Sequence, residues 1–117
     1  MEIENRPWGY YQVLSDTVEV KVKRIEVNPG SRLSYQYHHK RREQWTVTYG
    51  TLTVILDGEE IEVKTGESIH IPLEAKHRAW NKTDNLVRFI EVQTGTYFGE
   101  DDIVRLEDDY GREGTND

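Results

Sequence analysis

Thr46-Val-Thr-Tyr-Gly50-Thr-Leu-Thr-Val-Ile-Leu56-Asp-Gly58-Glu-Glu-Ile-Glu-Val-Lys64 decides the fold class. Two runs rich in β-branched residues meet at Gly50, an Asp57-Gly58 pair follows, and a third run alternates apolar with charged residues. Such runs favour strands, and Asp-Gly between two of them reads as a tight hairpin. The same texture extends outward. Val18 to Val27 alternates up to the turn Asn28-Pro29-Gly30, and Leu86-Val-Arg-Phe-Ile-Glu-Val-Gln93 is a further strand. No window of a dozen residues carries a helical apolar stripe. Many short strands with frequent turn signals mean an all-β sandwich or barrel.

The chain has 117 residues, with 15 basic and 22 acidic side chains and a formal net charge of −7. That length is one domain. The reading is a single domain over 1–117, with its core at about 8–98 and an acidic C-terminal extension at 99–117. Trp8 to Tyr11 is expected to be an edge strand, and Glu113 to Asp117 to be loose. The absence of cysteine excludes disulfides, thiolate metal sites and a cysteine nucleophile. No apolar run approaches the roughly 20 residues that span a bilayer. The first residues lack the basic and apolar regions of a signal peptide. The expectation is a cytoplasmic protein that binds no membrane and, being acidic, no nucleic acid. A locally basic pocket for a small anion remains compatible with that charge.

All four histidines lie between positions 38 and 77. In a strand, residues two apart share a face, so Gln36 and His38 can both point into a barrel. Glu43 returns on the next strand, and His77 arrives from a more distant one. Two imidazoles, a carboxylate and an amide oxygen form a facial donor set for a divalent metal with positions left open. His39 and His70 are by default surface or core residues.

The spacing of Gly30, Gln36, His38, Glu43 and Gly50, followed by Gly66, Pro72, His77 and Asn81, resembles the two motifs of the cupin superfamily. Gln36 stands where a first histidine is usual, and Glu74 where a glycine is usual. The chain is more closely similar to the carboxy-terminal cupin domain of type II mannose-6-phosphate isomerases. The matching segments include Arg6-Pro-Trp-Gly9, Leu33-Ser-Tyr-Gln-Tyr-His-His39, Glu43-Gln-Trp45, Glu91-Val-Gln93 and Gly99-Glu-Asp-Asp-Ile-Val-Arg105. The family's extra histidine after His39 is lost.

The resemblance implies a jelly-roll (double-stranded β-helix) barrel and interconversion of mannose 6-phosphate and fructose 6-phosphate through a cis-enediol. It implies a divalent ion on Gln36, His38, Glu43 and His77, with zinc first and manganese, cobalt, nickel or iron also fitting. Lys23, Arg41, Arg78 and Arg88 are candidates to hold the phosphate or stabilise the enediolate, Arg41 foremost. His39 and Glu91 are candidates for the base. Strand parity leaves open which face of the Glu91 strand is inward. Long family members also carry a nucleotidyltransferase domain, for which this chain has no room and no glycine-rich loop, so no nucleotidyl transfer is expected. A homodimer through the Trp8–Tyr11 edge is expected. The alternatives are a metal- or sugar-binding module without turnover, and another metal-dependent reaction such as a dioxygenase.

Overall fold

The computed structural model describes residues 2–111; the expectation for Glu113 to Asp117 lies outside them. Eleven strands run in chain order: β1 Ile3–Arg6, β2 Gly9–Asp16, β3 Val20–Val27, β4 Tyr35–Tyr37, β5 Arg41–Tyr49, β6 Thr51–Leu56, β7 Glu59–Lys64, β8 Ser68–Ile71, β9 His77–Trp80, β10 Val87–Gly95 and β11 Val104–Glu107. They form a six-stranded sheet ordered β1-β2-β3-β10-β5-β8 and a five-stranded sheet ordered β11-β4-β9-β6-β7. The pairings are antiparallel. No helix occurs among the described residues. This is the all-β, two-sheet architecture that the alternation calls for.

The opening stretch folds as read, with one difference of context. β6 and β7 form the hairpin, and Asp57 and Gly58 both have positive φ, 47° and 85°. That pair of left-handed residues matches the twist of the flanking strands. The two runs that meet at Gly50 are not hairpin partners: β5 belongs to one sheet and β6 to the other. Gly50, at φ 83°, is where the chain crosses between layers.

Alternation along three neighbouring strands builds the core and the site together. On β3, Lys23, Ile25 and Val27 are buried; on β10, Val87, Phe89, Glu91 and Gln93; on β5, Arg41, Glu43, Trp45 and Val47. Each inward row is apolar at one end and polar at the other. The register aligns those ends: Lys23 lies opposite Glu91, and Gln93 opposite Glu43. The barrel is therefore dry at the Val27–Phe89–Val47 end, where Leu52, Val54, Val63 and Ala79 of the other sheet complete the core. At the opposite end it holds a layer of charged side chains. Truncating a fully buried residue such as Phe89 to alanine costs about 3–5 kcal/mol, so the apolar end fixes the frame that carries the polar one.

The acidic segment after residue 99 is ordered against the barrel: β11 pairs with β4 at the edge of the five-stranded sheet, and Asp102, Ile103, Arg105 and Asp108 are buried. The expectation of an edge strand at Trp8 to Tyr11 is corrected, because β2 is paired on one side with β1 and on the other with β3. Their backbone groups are used within the sheet, so this segment has no free edge for a second copy. The outer strands of that sheet are β1 and β8.

Candidate metal centre and adjoining cavity

His38, Glu43 and His77 present ligand atoms that all lie within 4.8 Å of one another, and all three residues are buried. Each arrives by a different route. His38 follows β4, Glu43 is the third residue of β5, and His77 opens β9. His38 Nε2 lies 3.2 Å from Glu43 Oε2, and His77 Nε2 lies 3.9 Å from Glu43 Oε1. Gln36 of β4 sits opposite His77 in the ladder, and paired residues project to the same side.

The outer hydrogen bonds orient the donors. His38 Nδ1 donates to the Asp102 carbonyl at 2.8 Å, and His77 Nδ1 donates to the Ala75 carbonyl at 2.9 Å. A proton fixed on Nδ1 leaves Nε2 as an acceptor on the Glu43 side, the tautomer a metal-ligating imidazole needs; that of His38 accepts from Arg41 Nη2 at 3.3 Å. Burial pushes both imidazoles down, only partly opposed by the Glu43 charge, and His38 falls to about 4. Both rings are therefore neutral near pH 7. Burial alone would push the Glu43 carboxyl up, but the opposing influences, led by the Arg41 guanidinium, outweigh it and hold it well below the usual carboxylate range.

The unpaired atoms supply the test of fit. His77 Nε2 and Gln36 Oε1 are buried without a hydrogen-bond partner. A buried acceptor left unpaired costs roughly 1–3 kcal/mol. Two such acceptors beside an ionised carboxylate and a neutral imidazole form a divalent-cation donor set. The residues present fit a metal ion; the donors alone do not select which.

The cavity beside this cluster has a volume of about 150 Å³. Glu43 and Gln36 line it together with Lys23, Arg41, Glu91 and Glu100. Arg41 donates through Nε to Glu43 Oε2 at 2.9 Å, while its Nη1 is buried without a partner. Trp45 Nε1 donates to the other Glu43 oxygen at 2.9 Å. Glu91 receives a hydrogen bond of 2.7 Å from Gln93 Nε2. Burial pushes the Glu91 carboxyl up, the neighbouring Glu43 charge adds to this, and the pair is separated so far that Glu91 rises to about 8. Two carboxyls in one site, one ionised and one favouring its proton, is the division of labour that acid–base chemistry uses.

The structure thus resolves the open parity of β10: Glu91 and Gln93 face inward. It also sorts the candidates. Lys23, Arg41 and Glu91 line the cavity. His39 does not. It follows the inward-facing His38, so its ring points outward, half exposed, with Nδ1 3.0 Å from Glu74 Oε2. It therefore stands apart from the carboxyls and cations that line the cavity. Arg78 is tied to the Leu33 carbonyl, and Arg88 lies on the outer face against Glu26 and Tyr49. Neither lines the cavity, because each follows an inward residue on its strand. His70 is exposed and, among the described residues, belongs to no donor group. Glu74, standing where the related motif has glycine, has φ 62°, a left-handed conformation that glycine adopts without penalty.

Sequence reasoning gave no role to Arg6, Glu100, Arg105 or Gln93. The first three line the cavity, and Gln93 holds Glu91. Gln93 shares the parity of Glu91, which was a usable signal. Nothing local marks Glu100, which reaches Lys23 from 77 residues away.

Comparison with known proteins follows the same direction. The family described as "Mannose-6-phosphate isomerase C-terminal" matches residues 2–108. The chain belongs to this family. Among its relatives, the xanthan biosynthesis protein XanB of Xanthomonas campestris is 47% identical over 107 residues, covering 92% of this chain and 23% of that protein. The alginate biosynthesis protein AlgA of Pseudomonas aeruginosa is 46% identical, covering 92% of this chain and 22% of its own length. A mannose-1-phosphate guanylyltransferase of Escherichia coli is also 46% identical, with the same coverage of 92% and 22%. The chain spans under a quarter of the length of these relatives. A structure described as a sugar phosphate isomerase from a cupin superfamily, from Silicibacter pomeroyi, superposes with a TM-score of 0.68 at 26% identity, over 74% of this chain and 59% of that one. KdgF from Halomonas, at 15% identity, shares the fold alone, with a TM-score of 0.73 over 83% and 88% of the two chains. The fold of this mannose-6-phosphate isomerase C-terminal domain is therefore that of the cupins. No helix among the described residues is long and apolar enough to cross a membrane.

Proposed function

We infer that this domain interconverts mannose 6-phosphate and fructose 6-phosphate. The observation that carries the reading is the shared wall: Glu43, a member of the His38–Glu43–His77 group, also lines a cavity with a second buried carboxyl, Glu91, and buried cations Lys23 and Arg41. Family membership supports it. An aldose–ketose isomerase needs a group to move a proton between adjacent carbons, electrostatic stabilisation of the oxyanion, and a grip on the phosphate. The cavity contains all three chemistries.

Glu91 is assigned the proton. As a carboxylate it takes the proton from C2 of the open-chain aldose, leaving an enediolate between C1 and C2. As a carboxylic acid it returns the proton to C1, while the hydroxyl proton passes from O2 to O1, so that the C2 carbonyl and the C1 hydroxyl form together. Gln93 and the Glu43 side keep it aimed at the cavity rather than at solvent. Arg41, with Nη1 unpaired, stabilises the charge that develops on the oxygen. Lys23 answers to the phosphate. Bound by His38, Glu43 and His77 with Gln36 as a fourth donor, a divalent ion would polarise the sugar's carbonyl and hydroxyl oxygens.

The test is a coupled assay for fructose 6-phosphate from mannose 6-phosphate, run with chelator and with zinc, manganese, cobalt, nickel or iron restored. Metal-dependent turnover is the expected result. Folded protein that binds sugar phosphate without turnover under every metal would leave a binding module, and dioxygen uptake with iron would point to an oxygenase.

A further inference from the structure

We propose that the Glu100 carboxylate occupies the subsite for the ligand's phosphoryl group, and that the phosphoryl group enters by displacing it. The proposal deepens the sugar-phosphate reading and rests on it.

Glu100 sits over two lysines of β3. Its Oε1 accepts a hydrogen bond from Lys23 Nζ and lies 4.0 Å from Lys21 Nζ. The Lys23 side chain is buried, at 6% exposure, and that of Lys21 is 13% exposed, while that of Glu100 is 42% exposed. The carboxylate is therefore the outermost member of the group. An anion arriving from solvent meets it before it reaches either lysine.

The segment that carries Glu100 is held by contacts that do not involve its carboxylate. On one side the Thr96 amide donates to the Lys40 carbonyl at 3.0 Å. On the other, Asp102 accepts from the His39 and Lys40 amides at 3.2 and 2.9 Å, and its own amide donates to the Gly99 carbonyl at 3.1 Å. Glu100 can rotate off the lysines while this frame stays in place.

What it leaves behind suits a phosphoryl group better than a carboxylate. The cavity is lined by four cationic side chains, Arg6, Lys23, Arg41 and Arg105, and three carboxyls, Glu43, Glu91 and Glu100. Withdrawing Glu100 tips this balance towards the cations and creates a deficit that a doubly charged phosphate monoester fills. Arg41 is 4% exposed and its Nη1 has no partner, a buried donor that Glu100 does not satisfy. A carboxylate offers two oxygens; a phosphoryl group offers three, enough to serve a lysine and the arginine together. The internal carboxylate then acts as a selectivity element. Neutral sugars cannot compete for Lys23, whereas phosphorylated ones can.

The test is titration calorimetry of the full chain with inorganic phosphate, at equal metal content in each variant. Replacing Glu100→Gln removes the competing charge at nearly constant volume and should tighten phosphate binding about tenfold, leaving mannose without detectable binding. Glu100→Ala should move affinity the same way and stands in should the first variant fail to fold. Adding Lys23→Met to E100Q should remove the gain. Phosphate affinity unchanged or weakened in both Glu100 variants overturns the proposal, and so does a gain that survives the loss of Lys23. Tighter phosphate binding without isomerisation would sink the isomerase reading alone. Isomerisation with no change in phosphate affinity would sink this proposal alone.

Discussion

Glu43→Gln is the most informative single change, because one buried carboxylate serves two structures at once. Its side chain is 1% exposed, and its two oxygens accept from Arg41 Nε and Trp45 Nε1, each at 2.9 Å. Glutamine keeps the volume but has one acceptor oxygen and one donor amide. Whichever way the amide turns, either Arg41 or Trp45 loses its acceptor and faces another donor. A buried group left unsatisfied costs about 1–3 kcal/mol, and a charged donor lies at the upper end. For a domain of this size each kcal/mol moves the melting temperature by roughly 4 °C, so the metal-free variant should melt about 4–12 °C lower. The second effect falls on the metal. The anionic member of the His38–Glu43–His77 group becomes neutral, and affinity should fall by on the order of a hundredfold or more, given that even outer hydrogen-bond partners contribute 10–100-fold. Two measurements separate the effects: thermal melts with chelator, and metal content by mass spectrometry after dialysis against a weak chelator. Unchanged metal content would refute the ligand set. An unchanged melting temperature in chelator would refute the hydrogen-bond argument.

Three other outcomes follow from the same geometry. Arg41→Ala should lower kcat/KM for mannose 6-phosphate by roughly a hundredfold or more, the scale for losing one preorganised donor, with metal content retained; normal turnover would end its assigned role. His39→Ala should change turnover less than twofold and stability by about 0.5 kcal/mol or less, since the ring is half exposed and meets Glu74 outside the cavity; a large loss of turnover would restore it as the base. Acid should weaken the fold through two carboxylates. Burial raises Glu100, but the Lys23 charge outweighs this and holds it below its ordinary value, and the hydrogen bond from Arg32 holds Asp109 below its own. Carboxylates depressed in the folded state stabilise it above their unfolded pKa, and that contribution is lost as pH falls through their folded values. The part of the melting temperature that these two carboxylates supply should therefore be lost as pH is lowered below about 4, and Glu100→Gln should flatten part of that slope; a slope unchanged by the substitution would exclude Glu100 from it.

Much of the site was legible before any coordinates because its elements are local. Gln36 and His38 share a face by strand parity, and Asp57-Gly58 specifies its own turn. Glu43 and His77 took their places through the spacing of the two motifs. His39 could not be told from His38 by position, because a histidine next to a ligand looks equally available in one dimension. It lies in the bend between β4 and β5, where its ring meets Glu74. The C-terminal segment was recognisable as a pattern without revealing what it does.

Alternation, turn chemistry and motif spacing are properties of short stretches, so the amino-acid sequence by itself determined the all-β class, most strand positions, and which histidines and glutamate could serve a metal. Tertiary structure alone decided which end of the barrel is charged, because that depends on the mutual register of β3, β10 and β5. It also decided that the Asp102 carbonyl sets the tautomer of His38 from 64 residues away, and that Glu100 closes on Lys23 from 77. Contacts over such separations are fixed by how the two sheets pack, since no backbone rule links residues that far apart in the chain.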